Sequence, residues 1–347
     1  MKRVRTICAV AALCAGVTVF GAIRFADFKG DLATKVEEAN KANASVITGQ
    51  DGWLFFVPEL RHLSVGTFWG DAAKTVSRAT SPTKADPLPA ILDFNAQLKK
   101  AGIDLLVVPV PAKAAVYPEM IVPGAANSAS ARLDASDAEF IGVLKQNGVN
   151  VLDLAPAFIQ YRKDHPDQLL YTKQDTHWSG YGIGLASDMV SDLVKKEPWY
   201  ATVAQSKFMA RSPALSLTGD LVQYMSGTKP GPEQVVLTSI VDAKGAPVQF
   251  SRQSPLVLLG DSHNLIYSIG GEMLATSSGF PENLAMKIGF APDVVGVMGS
   301  GATPSRINLA RRADNMTGKK MVVWCFTVRE FTEGTGWSKV PVIKATQ

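Results

Sequence analysis

The stretch PLVLLGDSHN, Pro255 to Asn264, decides how this 347-residue chain is read. Its apolar run, Leu256 to Leu259, has the uninterrupted hydrophobicity of a strand buried on both faces. Gly260 and Asp261 break the run, and Ser262 follows at the turn. From Asn264 to Ile269 the pattern becomes helix-like. A strand that ends in a Gly-containing turn and presents a Ser before a helix exposes a nucleophile at the carboxyl edge of a parallel sheet. The competing reading of the same residues is a helix N-cap, the commonest use of Ser at such a junction. A nucleophilic Ser also requires a base and an acid that orients it.

Working outward, strands and helices alternate. Leu88 to Ala101 carries apolar residues at helical spacing (Ile91, Leu92, Phe94, Leu98), Gly102 ends it, and Ile103 to Val108 is a second continuous apolar strand. A helix over Ala129 to Gln146, a strand over Val149 to Leu154, a short helix around Pro156 to Lys163 and a helix over Tyr181 to Lys195 follow. Beyond Ser262 come a strand over Val294 to Met298, a helix over Pro304 to Ala313 and a strand over Met321 to Phe326. This order predicts an α/β fold, a doubly wound parallel sheet flanked by helices, with its active edge at the carboxyl strand ends. Glu197 to Gln253 is irregular and rich in Ser, Gly, Pro and Lys, and reads as a peripheral insertion within one domain spanning residues 28–347. Within it, Gly219 to Leu221 stands out by turn character. Nearer the start, Asp51-Gly52 is a turn signal and Trp53 to Phe56 a strand, together a hairpin or cap at the domain edge. Phe28 to Ser45 reads as an exposed polar helix.

Composition narrows the classes. At 46% hydrophobic and 19% charged, the chain is an ordinary globular one. Its net charge of +4, with no dense basic run past residue 5, excludes nucleic acid as the expected partner. Lys2, Arg3 and Arg5 precede an uncharged stretch from Thr6 to Ile23. Residues 1–27 therefore read as a signal peptide or an N-terminal membrane anchor, and the length of the stretch favours the anchor. Cys8 and Cys14 lie in that segment, so Cys325 has no partner for an internal disulfide, and no Cys/His spacing suggests a metal. These features fit a periplasmic domain tethered to the inner membrane.

A base for Ser262 is found by elimination among four His. His165 lies in the charged run KDHPD and reads as solvated; His62 has no partner in the sequence. His263 adjoins Ser262, and neighbouring side chains diverge, so it reads as a pocket wall or a helix start. His177 stands two residues after Asp175 in a polar loop. That spacing allows a carboxylate to hold one ring nitrogen and leave the other free. A solvated loop or a cap is the plainer alternative for the pair. Candidate oxyanion donors are the Ser262 backbone N–H and the Gly299-Ser300-Gly301 turn, whose plainer reading is a tight turn. Arg306 and Arg329, just after strand ends, suit an anionic substrate.

GDSH at Gly260 to His263 resembles the first block of SGNH hydrolases, but here it follows the Asp-x-His pair. The reversed order is similar to the permuted SGNH-like domain of the alginate O-acetyltransferase family, AlgJ and AlgX. GQDGWLFF at Gly49 to Phe56, VPVPAKAAVYPE at Val108 to Glu119, DTHWSGYG at Asp175 to Gly182, GDL at Gly219 to Leu221, GSGAT at Gly299 to Thr303 and VVWCFTVREF at Val322 to Phe331 agree in the same order. Cys325 and Thr327-Val328 depart from the more acidic, Pro-containing run expected in the last segment. The nearness of Gln347 to the last strand makes the AlgJ type a better match than AlgX, whose members carry a carbohydrate-binding module after the catalytic domain.

The resemblance implies a Ser262–His177–Asp175 triad that moves acetyl groups onto an exported polysaccharide, through an acetyl-enzyme; the residues themselves imply no metal or diffusible cofactor. It also implies a membrane-bound acyltransferase as acetyl donor and other export-complex subunits as partners. Lys113, Tyr117, Trp178, His263, Asn264, Arg306 and Arg329 are the candidate substrate contacts. Two rivals remain at this stage: a periplasmic carbohydrate acetylesterase with the same triad, and a non-catalytic polysaccharide-binding scaffold of an export complex.

Overall fold

The structure, a computed structural model, describes residues 24–128, 131–211 and 213–344. The stretch Thr6 to Ile23, expected to be a signal or anchor, lies outside the described residues. Among the described residues, no helix is long and apolar enough to cross a membrane.

Helix α1 (Phe25–Lys41) is amphipathic, not wholly exposed as its Lys/Glu-rich composition suggests. Phe28, Leu32, Val36 and Ala39 recur at helical spacing and are buried. The hairpin β1 (Val46–Thr48) and β2 (Leu54–Phe56) follows, then α2 (Val57–Val65), which packs on α1. After the single turn α3 (Ala73–Val76), α4 (Leu88–Lys100) leads into β3 (Asp104–Val110), which ends at another single turn, α5 (Lys113–Val116). Next come α6 (Ala135–Gln146), the two-residue edge strand β4 (Asn150–Val151), α7 (Ala155–Asp164) and α8 (Gly180–Val194). The irregular region then supplies four short strands, β5 (Phe208–Arg211), β6 (Ala214–Leu217), β7 (Glu233–Val236) and β8 (Ser239–Asp242). They pair antiparallel as β5–β8 and β6–β7, apart from the main sheet. The alternation resumes with β9 (Leu256–Gly260), α9 (Phe280–Ile288), β10 (Asp293–Gly296), α10 (Thr303–Arg311), β11 (Met321–Thr327) and the single turn α11 (Glu330–Glu333).

The main sheet is parallel, in the order β10-β9-β11-β3-β4. Every residue of β9 and β11 is buried, as are all of β3 after Asp104, which explains why these strands read as unbroken apolar runs. Parallel pairing sends the carboxyl ends of β9, β11 and β3 to one edge of the sheet.

One expected helix is absent. Ser262 to Asn264 makes only a single 3₁₀ turn, and residues up to Ser278 form a loop with positive φ at Tyr267, Leu274 and Ser277. Tyr267 N–H donates to Met273 C=O at 2.8 Å and Ser278 N–H to Tyr267 C=O at 2.7 Å, closing the loop on itself. Leu265 packs against Gly296 of β10. Its apolar neighbours therefore mark tertiary packing, while the helix itself starts at Phe280.

Candidate active site

Ser262 sits immediately beyond β9 because the chain must leave the sheet there. Gly260 is required by close approach: a Cβ at this position would overlap the Cys325 carbonyl of β11 and the Asn264 side chain. Asp261 then caps the turn, its Oδ1 accepting the His263 N–H at 2.9 Å and its Oδ2 the Thr327 N–H at 2.8 Å. Asp261 thereby ties the end of β9 to the end of β11. Ser262 is left facing a cleft of about 970 Å³ lined also by Thr176, His177, Asp220, Leu274, Met298, Gly299 and Arg329.

His177 arrives from the loop between α7 and α8. Its Nε2 lies 2.7 Å from Ser262 Oγ, and its Nδ1 lies 2.6 Å from Asp175 Oδ1. Asp175 Oδ1 also accepts the His177 backbone N–H at 2.9 Å, so one carboxylate oxygen fixes both the turn and the ring. With Nδ1 protonated toward Asp175, Nε2 is the free base facing the hydroxyl. All three residues are buried.

Electrostatics reinforce the arrangement. Burial works to raise the Asp175 carboxyl, but the His177 charge, its hydrogen bonds and the Asp220 N–H outweigh it and hold the group at about 2. For His177, burial lowers the pKa, and the Asp175 and Asp220 carboxylates more than offset it, leaving it raised above 6.5. Asp175, His177 and Asp220 bring three ligand-type atoms within 4.8 Å of one another. Those atoms are already engaged in hydrogen bonds, as expected of an oriented base.

Asp220 is the residue that sequence reading missed. It belongs to the Gly219 to Leu221 turn in the irregular region, seen there only as a turn. Its N–H donates to Asp175 Oδ2 at 2.8 Å. Its own carboxylate accepts the Thr176 N–H at 2.8 Å and the Thr176 hydroxyl at 2.6 Å. An acid directly after a Gly was the available signal, but it names no partner 44 residues away.

Of the other expected contacts, Arg329 and Gly299 line the cleft. Arg329 also reaches Thr327 Oγ1 at 3.3 Å and Glu59 at 3.7 Å. Gly301 is buried behind the cleft against Asp261 and Phe326. Arg306 is fully buried, its guanidinium 5.1 Å from the Trp324 ring centre and bonded to the Ala90 and Ala302 carbonyls, so it is a core residue and no substrate contact. Lys113 is likewise turned inward, its Nζ donating to the Leu54 carbonyl at 2.9 Å and resting over Trp53 and Phe55. Tyr117 accepts the Leu170 N–H at 2.8 Å. Trp178 donates to the His263 carbonyl at 3.2 Å, and Asn264 to the Cys325 carbonyl at 2.9 Å. These four buried groups, Lys113, Tyr117, Trp178 and Asn264, support the loops that carry the site. The sequence shows them near the motifs but not which way they point. His263 is buried with its ring centre 4.8 Å from that of His177. His62 has partners after all: it lies in α2 between Asp137 at 2.8 Å and Thr332 at 3.0 Å, remote in sequence from both.

A family model described as "SGNH hydrolase-like domain, acetyltransferase AlgX" matches residues 46–328. The chain is 21% identical over 299 residues to the "Probable alginate O-acetylase AlgJ" of Pseudomonas aeruginosa, covering 84% of this chain and 71% of that one. Among solved structures, the O-acetyltransferase domain of Pseudomonas putida AlgJ superposes with a TM-score of 0.61 at 20% identity, covering 83% of this chain and 92% of that one. Pseudomonas aeruginosa AlgX superposes with a TM-score of 0.60 at 19% identity, covering 88% and 66%. At these identities the superpositions establish the shared fold.

Proposed function

The chain belongs to the SGNH hydrolase-like, AlgX-type acetyltransferase domain family, and from that premise we propose that it transfers acetyl groups to hydroxyls of an exported polysaccharide through Ser262, His177 and Asp175. The observation that carries the proposal is the continuous chain of contacts, Ser262 Oγ to His177 Nε2 at 2.7 Å and His177 Nδ1 to Asp175 Oδ1 at 2.6 Å.

In this mechanism His177 Nε2 takes the Ser262 proton as Oγ attacks the carbonyl carbon of an acetyl donor. The negative oxygen that forms is met by the Ser262 backbone N–H and a donor from the Gly299 turn. Collapse expels the donor group, which takes the proton from His177, and leaves acetyl-Ser262. An acceptor hydroxyl then gives its proton to His177 and attacks the ester carbonyl; Ser262 leaves and recovers the proton. Asp175 stays ionised throughout and holds the imidazolium. Water in place of the sugar would make the same site an esterase.

The acetyl donor is proposed to be presented by a membrane-bound acyltransferase working with other export-complex subunits, at the periplasmic face. Lys2, Arg3 and Arg5 and the uncharged stretch after them support tethering there.

The test is trapping. Brief incubation with an aryl acetate should add one acetyl group to the Ser262-bearing peptide by mass spectrometry, and oligosaccharide should discharge it faster than water. An unlabelled Ser262 with undiminished turnover would overturn the nucleophile assignment. Faster discharge to water than to any oligosaccharide would favour the esterase.

A further inference from the structure

We propose that Asp220 is a positioning residue of this site, delivered by the peripheral insertion to fix the Asp175-Thr176-His177 turn and keep His177 aimed at Ser262. The proposal rests on the triad reading above.

The clamp is reciprocal. The backbone of Asp220 donates to the side chain of Asp175, at 2.8 Å, while the side chain of Asp220 accepts from the backbone of Thr176, at 2.8 Å, and from its hydroxyl, at 2.6 Å. The neighbouring Leu221 N–H donates to the Gln174 carbonyl at 3.1 Å. Gly219 makes the approach possible: a Cβ there would overlap the Gln174 carbonyl and lie 2.6 Å from Asp175 N. Asp175 already spends Oδ1 on the His177 N–H and ring. Its Oδ2 accepts the Asp220 N–H, and a carboxylate held at one oxygen alone can rotate about its χ2 torsion.

Asp220 does more than pin backbone. Its Oδ2 lies 3.9 Å from His177 Nδ1, so it is a second carboxylate beside the base. The charged and titratable groups around His177 are Asp175 on its own loop, Asp220 from the insertion, His263 from the β9 turn and Arg329 after β11. The two acids favour the protonated ring, while Arg329 opposes it. Asp220 thereby helps to set when His177 becomes a free base.

Two variants separate clamp from charge. Asp220→Asn keeps an acceptor for Thr176 and removes the charge; Asp220→Ala removes both. His177 is titrated by NMR on uniformly labelled protein, a readout that needs no acetyl transfer, and kcat and KM for an aryl acetate are measured alongside. Expected results are a lower His177 pKa in both variants, with the acid limb of the rate profile moving the same way. Asp220→Ala should also lose about 10- to 100-fold in kcat, the scale of a small misplacement of a catalytic group, with KM little changed. An unchanged His177 titration in Asp220→Asn together with undiminished kcat in Asp220→Ala would overturn the proposal. If Asp220→Ala loses its fold, the Asp220→Asn titration alone decides, and no shift there sinks the idea. If Ser262 proves not to be the nucleophile, the titration still reports whether Asp220 acts on His177.

Discussion

The molecule contains the same small motif twice. In Asp175-Thr176-His177 and in Asp261-Ser262-His263, an Asp accepts the backbone N–H two residues on, at 2.9 Å in both, and also faces the Nδ1 of that residue's ring, at 2.6 and 3.2 Å. Both Asp carboxyls are held at about 2, against burial, by their His partners and backbone donors. The rings nonetheless differ. His177 is raised above its ordinary value, while burial takes His263 down to about 4, with nearby His177 and Arg329 adding to the effect and Asp261 only partly opposing it. What separates them is the next neighbour. His177 has a second acid, Asp220, and a serine hydroxyl at its far nitrogen. The second motif is fastened to the Thr327 N–H. One turn sets its histidine against the serine hydroxyl, and the other carries the serine itself.

The largest effect that breaks this contrast is expected at the serine. Ser262→Ala should lose on the order of 10⁴-fold in aryl acetate turnover, with folding retained by circular dichroism, because the methyl leaves the Asp261 cap intact. Next is Asp175→Asn, expected to cost about 10²- to 10⁴-fold by removing the charge that holds the imidazolium. If it matched Asp261→Asn in activity, the two motifs would not be functionally distinct. Wild-type kcat/KM should rise with pH as His177 loses its proton, with the midpoint above 6.5. A pH-independent rate across that region would exclude His177 as the base.

A smaller effect sharpens the comparison from the other side. His263 has its folded pKa lowered from 6.5 to about 4, so between those values the unfolded chain binds a proton that the folded chain does not. Stability should therefore fall as pH drops from about 6.5 toward about 4. His263→Gln should flatten that decline in melting temperature. A melting temperature just as acid-sensitive in the variant would show that His263 is not the group responsible.

Much of this was legible from the chain. Periodicity located β3, β9, β11 and most helices, since strands buried on both faces must be continuously apolar and helices must turn an apolar stripe inward. The site was legible where it is local: Asp175 and His177 share one turn, and Gly260-Asp261-Ser262 marks where β9 leaves the sheet. It failed where direction or distance mattered. The apolar residues after Ser262 looked helical, but they pack a loop onto β10. Arg306, an expected substrate contact, is a core residue among Phe94, Trp324 and Trp337. The sequence by itself determined the alternating α/β order and two Asp-x-His turns, because both follow from interactions among near neighbours. Only the tertiary structure decided that Asp220 stands behind His177, because a hydrogen bond spanning 45 residues leaves no mark on local pattern.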